Sequence, residues 1–202
     1  MLRLFLIRHG ETHWNQERRI QGSGSDIDLS EVGRRQAETL AFLLRGEKVS
    51  AIYSSPLKRA LNTAQAIADY HHMSIETVSD LREIEAGKLE GVSLAILGSA
   101  LSQFLVQWQH GEGLVKLPGG ESLAELQERA WTAIQYVLER HGDGVVIIVS
   151  HCFVILSIAC KALGLSLSYF PRLKVDVASL SILDFEDEAP QLVTLNSTGH
   201  LT

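Results

Sequence analysis

The sequence is poor in the features that mark specialised protein classes. Its 202 residues include two cysteines, four prolines and two methionines. Two cysteines cannot make a disulfide framework. Cys152 and Cys160 both lie in an apolar stretch, so reduced core thiols in a cytoplasmic protein are expected. There is no excess of basic residues: 18 Lys and Arg stand against 24 Asp and Glu, a formal charge of −6. A nucleic-acid partner would want a basic footprint. The same acidic total weighs against an anionic substrate, although a net charge says little about a site. No uninterrupted apolar run is long enough to span a membrane. The longest stretch, Val145–Leu165, carries Ser150, His151 and Lys161 and reads as a buried strand turning into a helix. The opening MLRLFLIRHGET is no signal peptide, because Arg8 and His9 follow its short apolar run at once. Repeats, low-complexity segments and Pro/Ser-rich linkers are missing too, so residues 1–202 read as one domain with a single sizeable core.

What is present is an alternation of strands and helices. Leu2–Arg8 is a short apolar run ending at Gly10, which suits a buried strand. Ser30 is placed to cap a helix that carries Leu40, Leu43 and Leu44 and stops near Gly46. Val49–Ser54 reads as a second strand, followed after Pro56 by a helix to about His71. Ile75–Val78 suits a short strand and Leu94–Gln109 a helix. Pro118-Gly119-Gly120 makes a loop before a long helix from Glu121 to about Arg140. Val145–Val149 is five β-branched residues in a row, the clearest buried strand, and a helix follows from about Phe153 to Leu163. Ala178–Phe185 and Gln191–Leu195 look like a strand pair joined by the acidic turn Glu186–Pro190. This order predicts a three-layer α/β/α sandwich with a largely parallel central sheet.

In open α/β sheets, sites form beyond the carboxyl ends of the strands. Three polar tripeptides stand there: Arg8-His9-Gly10, Ser54-Ser55-Pro56 and Ser150-His151-Cys152. Arg8 offers a planar fork of donors for phosphate oxygens. His9 can attack phosphorus once its other nitrogen is held. Gly10 permits a sharp turn, and Asn15 could add a neutral donor.

The segments RHGETHWN, SSPLKRALNTA, LREIEAGKLEG, PGGES and VSH occur in that order. Together they resemble the histidine phosphatase superfamily, in the phosphoglycerate mutase-like branch that includes small phosphatases. The resemblance spans roughly Leu2 to Ser179 and implies a phosphoglycerate mutase-like fold. It also implies a phosphohistidine at His9, phosphate ligands at Arg8 and Arg59, and a phosphoryl-holding role for His151. The proton donor falls on Glu83, with Glu85 and Glu90 as its closest rivals. Asn15 matches a polar position of the phosphate pocket, and Thr12, Gln21 and Gly22 fall in the loop lining its mouth. Cys152 stands where relatives commonly have glycine, so it adds a side chain beside the phosphate; a small buried spectator is the favoured reading over a reactive thiol. Asp176 stands where relatives often carry Asn.

The activity this implies is hydrolysis of a small phosphorylated metabolite without cofactor or metal. A phosphoglycerate mutase is the alternative, and a non-catalytic phosphate-binding module a more distant one. His13 lies four residues after His9, but the segment reads as non-helical and without a carboxylate cluster, so no metal pair is expected. Trp14 is expected to pack beside the site, Trp108 and Trp131 in the core. The segments Gln21–Asp28 and Ser93–Leu117 would select the substrate. The second holds Leu94, Ile96, Leu97, Leu101, Phe104, Leu105, Val106 and Trp108. It is read chiefly as an amphipathic helix covering the sheet, with a pocket wall for a bulky alcohol as the other option. No membrane partner is expected, and the C-terminal strands are a candidate homodimer edge.

Overall fold

The computed structural model describes residues 1–111, 113–186 and 189–201. Its strands are β1 (Leu2–Arg8), β2 (Val49–Ser54), β3 (Ile75–Thr77), β4 (Gly144–Ser150), β5 (Leu180–Glu186) and β6 (Ala189–Ser197). They form one sheet in the order β3-β2-β4-β1-β5-β6. The pairings of β1 with β4, β2 with β4 and β2 with β3 are parallel, whereas β5 and β6 add on antiparallel. The helices are α1 (His13–Gln16), α2 (Glu31–Leu44), α3 (Lys58–His71), α4 (Leu94–His110), α5 (Leu123–Arg140) and α6 (Cys152–Ala162).

Strand alternation sets the layers. Leu2, Leu4 and Leu6 of β1 join Val146 and Ile148 of β4 in a core with α5 and α6. The intervening Phe5, Ile7, Ile147 and Val149 join a second core with α2 and α3. A sheet apolar on both faces needs helices on both, which yields the α/β/α sandwich expected from the sequence.

Several boundaries move for local reasons. α5 begins at Leu123 rather than Glu121, because Ser122 caps it and Glu125 closes a reciprocal capping box. Ser30 caps α2 as expected, accepting from the Gly33 N–H at 3.1 Å. β5 starts at Leu180 rather than Ala178, whose φ of 53° breaks the extended chain. β6 runs from Ala189 to Ser197, so Pro190 belongs to an edge strand. Asp187 and Glu188 of the expected acidic turn lie outside the described residues, as does the side chain of Leu101. The segment holding His13 is helical after all, a single turn capped by Thr12. His13 itself is exposed on that turn, whereas His9 is buried beyond the end of β1.

One close approach fixes the loop after β1. A methyl group on Gly33 would stand 2.0 Å from the Glu11 carbonyl oxygen, and one on Gly10 would stand 2.5 Å from the Gly33 carbonyl oxygen. The Gly10-Glu11 backbone therefore lies directly on the first turn of α2, with no room for a Cβ between them. Gly33→Ala is expected to lower the unfolding free energy by about 1–3 kcal/mol. Gly46→Ala, where nothing lies within 4 Å, should stay within about 0.5 kcal/mol of the parent. Urea denaturation of both variants checks this, and equal effects would contradict the packing argument.

Candidate active site

The three parallel strands β2, β4 and β1 end level with one another: Ser54 pairs with Val149, and Arg8 with Ser150. Beyond these pairs the ladder runs on for a residue. The His9 N–H donates to the Ser150 carbonyl at 3.0 Å and the Ser55 N–H to the Val149 carbonyl at 3.0 Å. His9 and His151 are thereby brought together, with ring centroids 5.2 Å apart. Both are buried.

Each ring is held by a named neighbour. His9 Nδ1 is 2.7 Å from the Gly10 carbonyl oxygen. A carbonyl can only accept, so Nδ1 carries the proton and Nε2 keeps its lone pair. His151 Nε2 is 2.8 Å from Ser55 Oγ. The Gly10 N–H donates to Thr63 Oγ1 at 3.0 Å, which ties the turn after β1 to α3.

α3 also supplies Arg59, which is fully buried. Its Nη1 donates to the Ser25 carbonyl and its Nη2 to the Gly22 carbonyl, both at 3.0 Å. Arg8 Nη1 donates to the Val175 carbonyl at 2.7 Å. Among the described residues five buried side-chain nitrogen or oxygen atoms have no partner, and three of them are Arg8 Nε, Arg59 Nε and His151 Nδ1. Buried polar groups without partners are rare, so three in one cluster mark a place where something polar is wanted.

Glu83 completes the cluster. The one-turn helix Ser79–Leu81 presents it, and that turn is fastened from two sides. Ser150 Oγ donates to the Leu81 carbonyl at 2.8 Å. Arg129 of α5 donates to the carbonyls of Asp80, Arg82 and Glu83 at 2.7, 2.7 and 3.0 Å. The Glu83 carboxylate accepts from the Ile84 N–H at 2.9 Å and the Phe153 N–H at 3.2 Å. The second donor is in the first turn of α6, which has no side-chain cap.

The sequence pattern of the histidine phosphatase superfamily (branch 1) matches residues 4–198. The chain belongs to that superfamily. It is similar to phosphoserine phosphatase 1 of Hydrogenobacter thermophilus, 35% identical over 201 residues, covering 100% of this chain and 95% of that protein. It is 37% identical to the probable phosphoglycerate mutase GpmB of Yersinia pestis, covering 96% of this chain and 89% of the relative. A phosphoserine phosphatase mutant from Entamoeba histolytica, solved in complex with phosphoserine, superposes with a TM-score of 0.90 at 29% identity, with full coverage of both chains.

A cavity of about 400 Å³ opens on this histidine phosphatase cluster; Arg8, His9, Asn15, Gln21, Glu83 and Cys152 are in its wall. Three expectations need correction, those for Thr12, Gly22 and α4. Thr12 is fully buried and does not line the mouth. Its hydroxyl caps α1 and donates to Gln21 Oε1 at 2.9 Å. Gly22 is buried too; its place is under Arg59, where a Cβ would meet Glu90 at 2.5 Å. Arg59 and His151 are in the cluster but not in the cavity wall. α4 is more than a cover for the sheet, since Leu94, Leu105 and Trp108 line the cavity. Of the rival acids, Glu85 is exposed. Glu90 is engaged with the Gly22 N–H and the Ser25 hydroxyl.

Trp108 is in the core as expected, and Trp131 packs on its margin. The ring of Trp14 lies over Gly91. Sequence reasoning missed Arg18, Arg19 and Phe153 in the cavity wall, Ser55 behind His151, and Arg129 behind Glu83. Ser55 stood in a strand-end tripeptide that carried the signal. Arg129 had none, because it reads as an ordinary polar position of a long helix.

Burial sets the charge states of this histidine phosphatase site. Desolvation, with Arg59 and Arg8 adding to it, holds His9 well below the usual imidazole range. Desolvation and Arg59 do the same to His151. Burial raises the Glu83 carboxyl despite the two backbone N–H groups and the arginines that oppose it. Burial also raises the Cys152 thiol, so the residue is a neutral neighbour of the cavity rather than a thiolate.

The two histidines make a stability prediction. The unfolded chain takes up protons on them below about pH 6.5, while the folded chain does not until their lowered pKa values are reached. Stability is thus lost as pH falls through that window, by up to about 1.4 kcal/mol per pH unit for each histidine. Glu83 opposes the trend, since its raised pKa favours the folded state once it is protonated there. Urea melts at about pH 7 and pH 5.5 should show the net loss, and His151→Asn should flatten it. A stability independent of pH in this range would contradict neutral burial.

Proposed function

We propose that this histidine phosphatase hydrolyses a small phosphate monoester to free phosphate and an alcohol through a phosphohistidine on His9, without a metal ion. One observation carries the reading: a neutral imidazole with a committed Nδ1 proton and a carboxyl with a raised pKa stand in the wall of one cavity.

In the first step His9 Nε2 attacks phosphorus, and the bond from phosphorus to the ester oxygen breaks. The departing oxygen takes the proton of the Glu83 carboxyl. The phosphoryl oxygens gain charge on the way, and Arg8, Arg59 and the unpartnered His151 Nδ1 act as fixed donors to them. Asn15 and Gln21, in the same wall, add neutral polar contacts. In the second step the Glu83 carboxylate takes a proton from water. The oxygen of that water attacks phosphorus, the bond to His9 Nε2 breaks, and phosphate leaves.

Transfer to a second substrate molecule, as in a mutase, is favoured where water is shut out. The cavity wall here includes Arg18, Arg19 and Leu94, which are exposed, so water has access to the phosphohistidine. That access supports hydrolysis over the mutase reading.

His9→Ala should abolish hydrolysis of p-nitrophenyl phosphate while the protein stays folded; retained turnover would defeat the mechanism. Glu83→Gln should lower kcat/KM for an alkyl phosphate about 10²–10⁴-fold, and much less for p-nitrophenyl phosphate, whose leaving group needs no proton. The pH profile follows from the same shifts. Activity needs His9 neutral, so it falls on the acid side only well below the usual imidazole range. It needs Glu83 protonated, so it falls as pH rises through the raised carboxyl pKa. An optimum on the acid side of neutrality, with the alkaline limb lost in Glu83→Gln, is the expected profile. EDTA should leave the rate unchanged. Release of free phosphate from 3-phosphoglycerate, against isomer interconversion primed with bisphosphoglycerate, separates phosphatase from mutase.

A further inference from the structure

The cavity changes character away from Glu83 and His9. Ile20, Ile84, Leu89, Leu105, Trp108 and Phe153 are among the apolar residues of its wall. Trp108 has one polar atom, and its indole N–H is committed to the Val115 carbonyl at 2.8 Å, so the ring offers only hydrocarbon to the cavity. Trp108 and Phe153 meet edge to face, with centroids 6.0 Å apart at 80°. Phe153 is braced in turn by Phe170 at 4.9 Å and 79°. The result is a rigid aromatic wall rather than a set of adaptable side chains.

We infer that the alcohol released by this enzyme is apolar, so that its substrates are alkyl or aryl phosphate monoesters rather than phosphorylated amino acids or glycerates. The inference rests on the phosphatase reading and specifies its leaving group. An ammonium group entering the cavity would need an acceptor. Among the described residues Glu83 is the single carboxyl in the wall; both of its oxygens accept backbone N–H groups, and the mechanism needs it protonated. The amide oxygens of Asn15 and Gln21, also in the wall, already accept from Thr12, so a buried ammonium would lack a charged partner, which is costly. Of the other charges in the wall, Arg8 belongs with the phosphoryl group, and Arg18 and Arg19 are exposed, with Arg19 2.5 Å from Glu17. Standing in water, these two can draw in a phosphate dianion but offer little to a polar group at the aromatic end. An alkyl or aryl group, in contrast, exchanges water for Leu, Ile, Trp and Phe surfaces.

The test is a series of ethyl, butyl and hexyl phosphate beside phosphoserine and 3-phosphoglycerate. The expected result is a kcat/KM that rises about 2–4-fold per added methylene, with hexyl phosphate well above both polar esters. A flat alkyl series, or phosphoserine or 3-phosphoglycerate as the best substrate, overturns the inference while leaving the phosphatase reading intact. Leu105→Asn places an amide in the wall, and the ratio of hexyl to ethyl phosphate kcat/KM should drop at least several-fold; an unchanged ratio counts against the assigned wall. Calorimetric titration with ethyl-, butyl- and hexylphosphonate reads occupancy without turnover. Should no ester be hydrolysed, the phosphatase reading fails, and the phosphonates decide the inference alone. Affinity rising with chain length supports the apolar site, and affinity independent of it refutes it.

Discussion

A guanidinium with no water around it governs this molecule. Arg59 is fully buried, and desolvation lowers its pKa to about 10, which still leaves it charged near neutrality. Removing a charge from water costs several kcal/mol even after the protein relaxes. Among the described residues no side-chain carboxylate offsets that by direct contact. Two backbone carbonyls do so instead, from Gly22 and Ser25. The loop that bears them must be held in place, and Glu90 holds it through the Gly22 N–H and the Ser25 hydroxyl. Asp26 adds a bond to the Lys58 N–H at the start of α3. Loop, helix and cation thus form one closed arrangement, built around a positive charge whose best partner is an anion.

The same dryness decides what the neighbouring groups can do. In water an imidazole and a carboxyl would carry opposite charges between about pH 4.3 and 6.5. Here burial favours the neutral form of each, so His9 keeps its lone pair and Glu83 tends to keep its proton. A free lone pair and a retained proton result from one physical cause, with no separate device for either. The arginines resist this for Glu83 and reinforce it for His9. The acidic total of the chain has no part in it, since the groups that matter exchange their charges with one another rather than with the distant surface.

How far the sequence discloses this depends on the range of the interaction. β1, β2 and β4 were legible because runs such as Val145–Val149 have few other places to go, and with them the three strand-end tripeptides. α2 and its Ser30 cap were legible because the bond spans three residues. Glu83 was legible only through the family pattern. Its burial depends on Arg129 and Ser150, 46 and 67 or more residues away, and nothing local announces such partners. Thr12 misled for the opposite reason: it sits beside the site in sequence, yet its hydroxyl closes α1 and reaches Gln21. The apolar residues of α4 fit a helix covering the sheet equally well. Only the placement of Leu94 and Leu105 distinguishes a cavity wall from a core face.

The position of β1 has a consequence for how the chain comes to be folded. This strand is made first, yet its two neighbours in the sheet are β4 and β5, which begin at Gly144 and Leu180. Until those segments are made, Leu2–Arg8 lacks both of its neighbours in the sheet. Contacts so distant along the chain form slowly, and open edges invite pairing with other chains. The turn at His9 hangs on the end of that strand, so it acquires its geometry only after β4 and β5 have emerged. Truncated chains should therefore be both inert and prone to aggregate, and quality control that removes them would remove no partial activity.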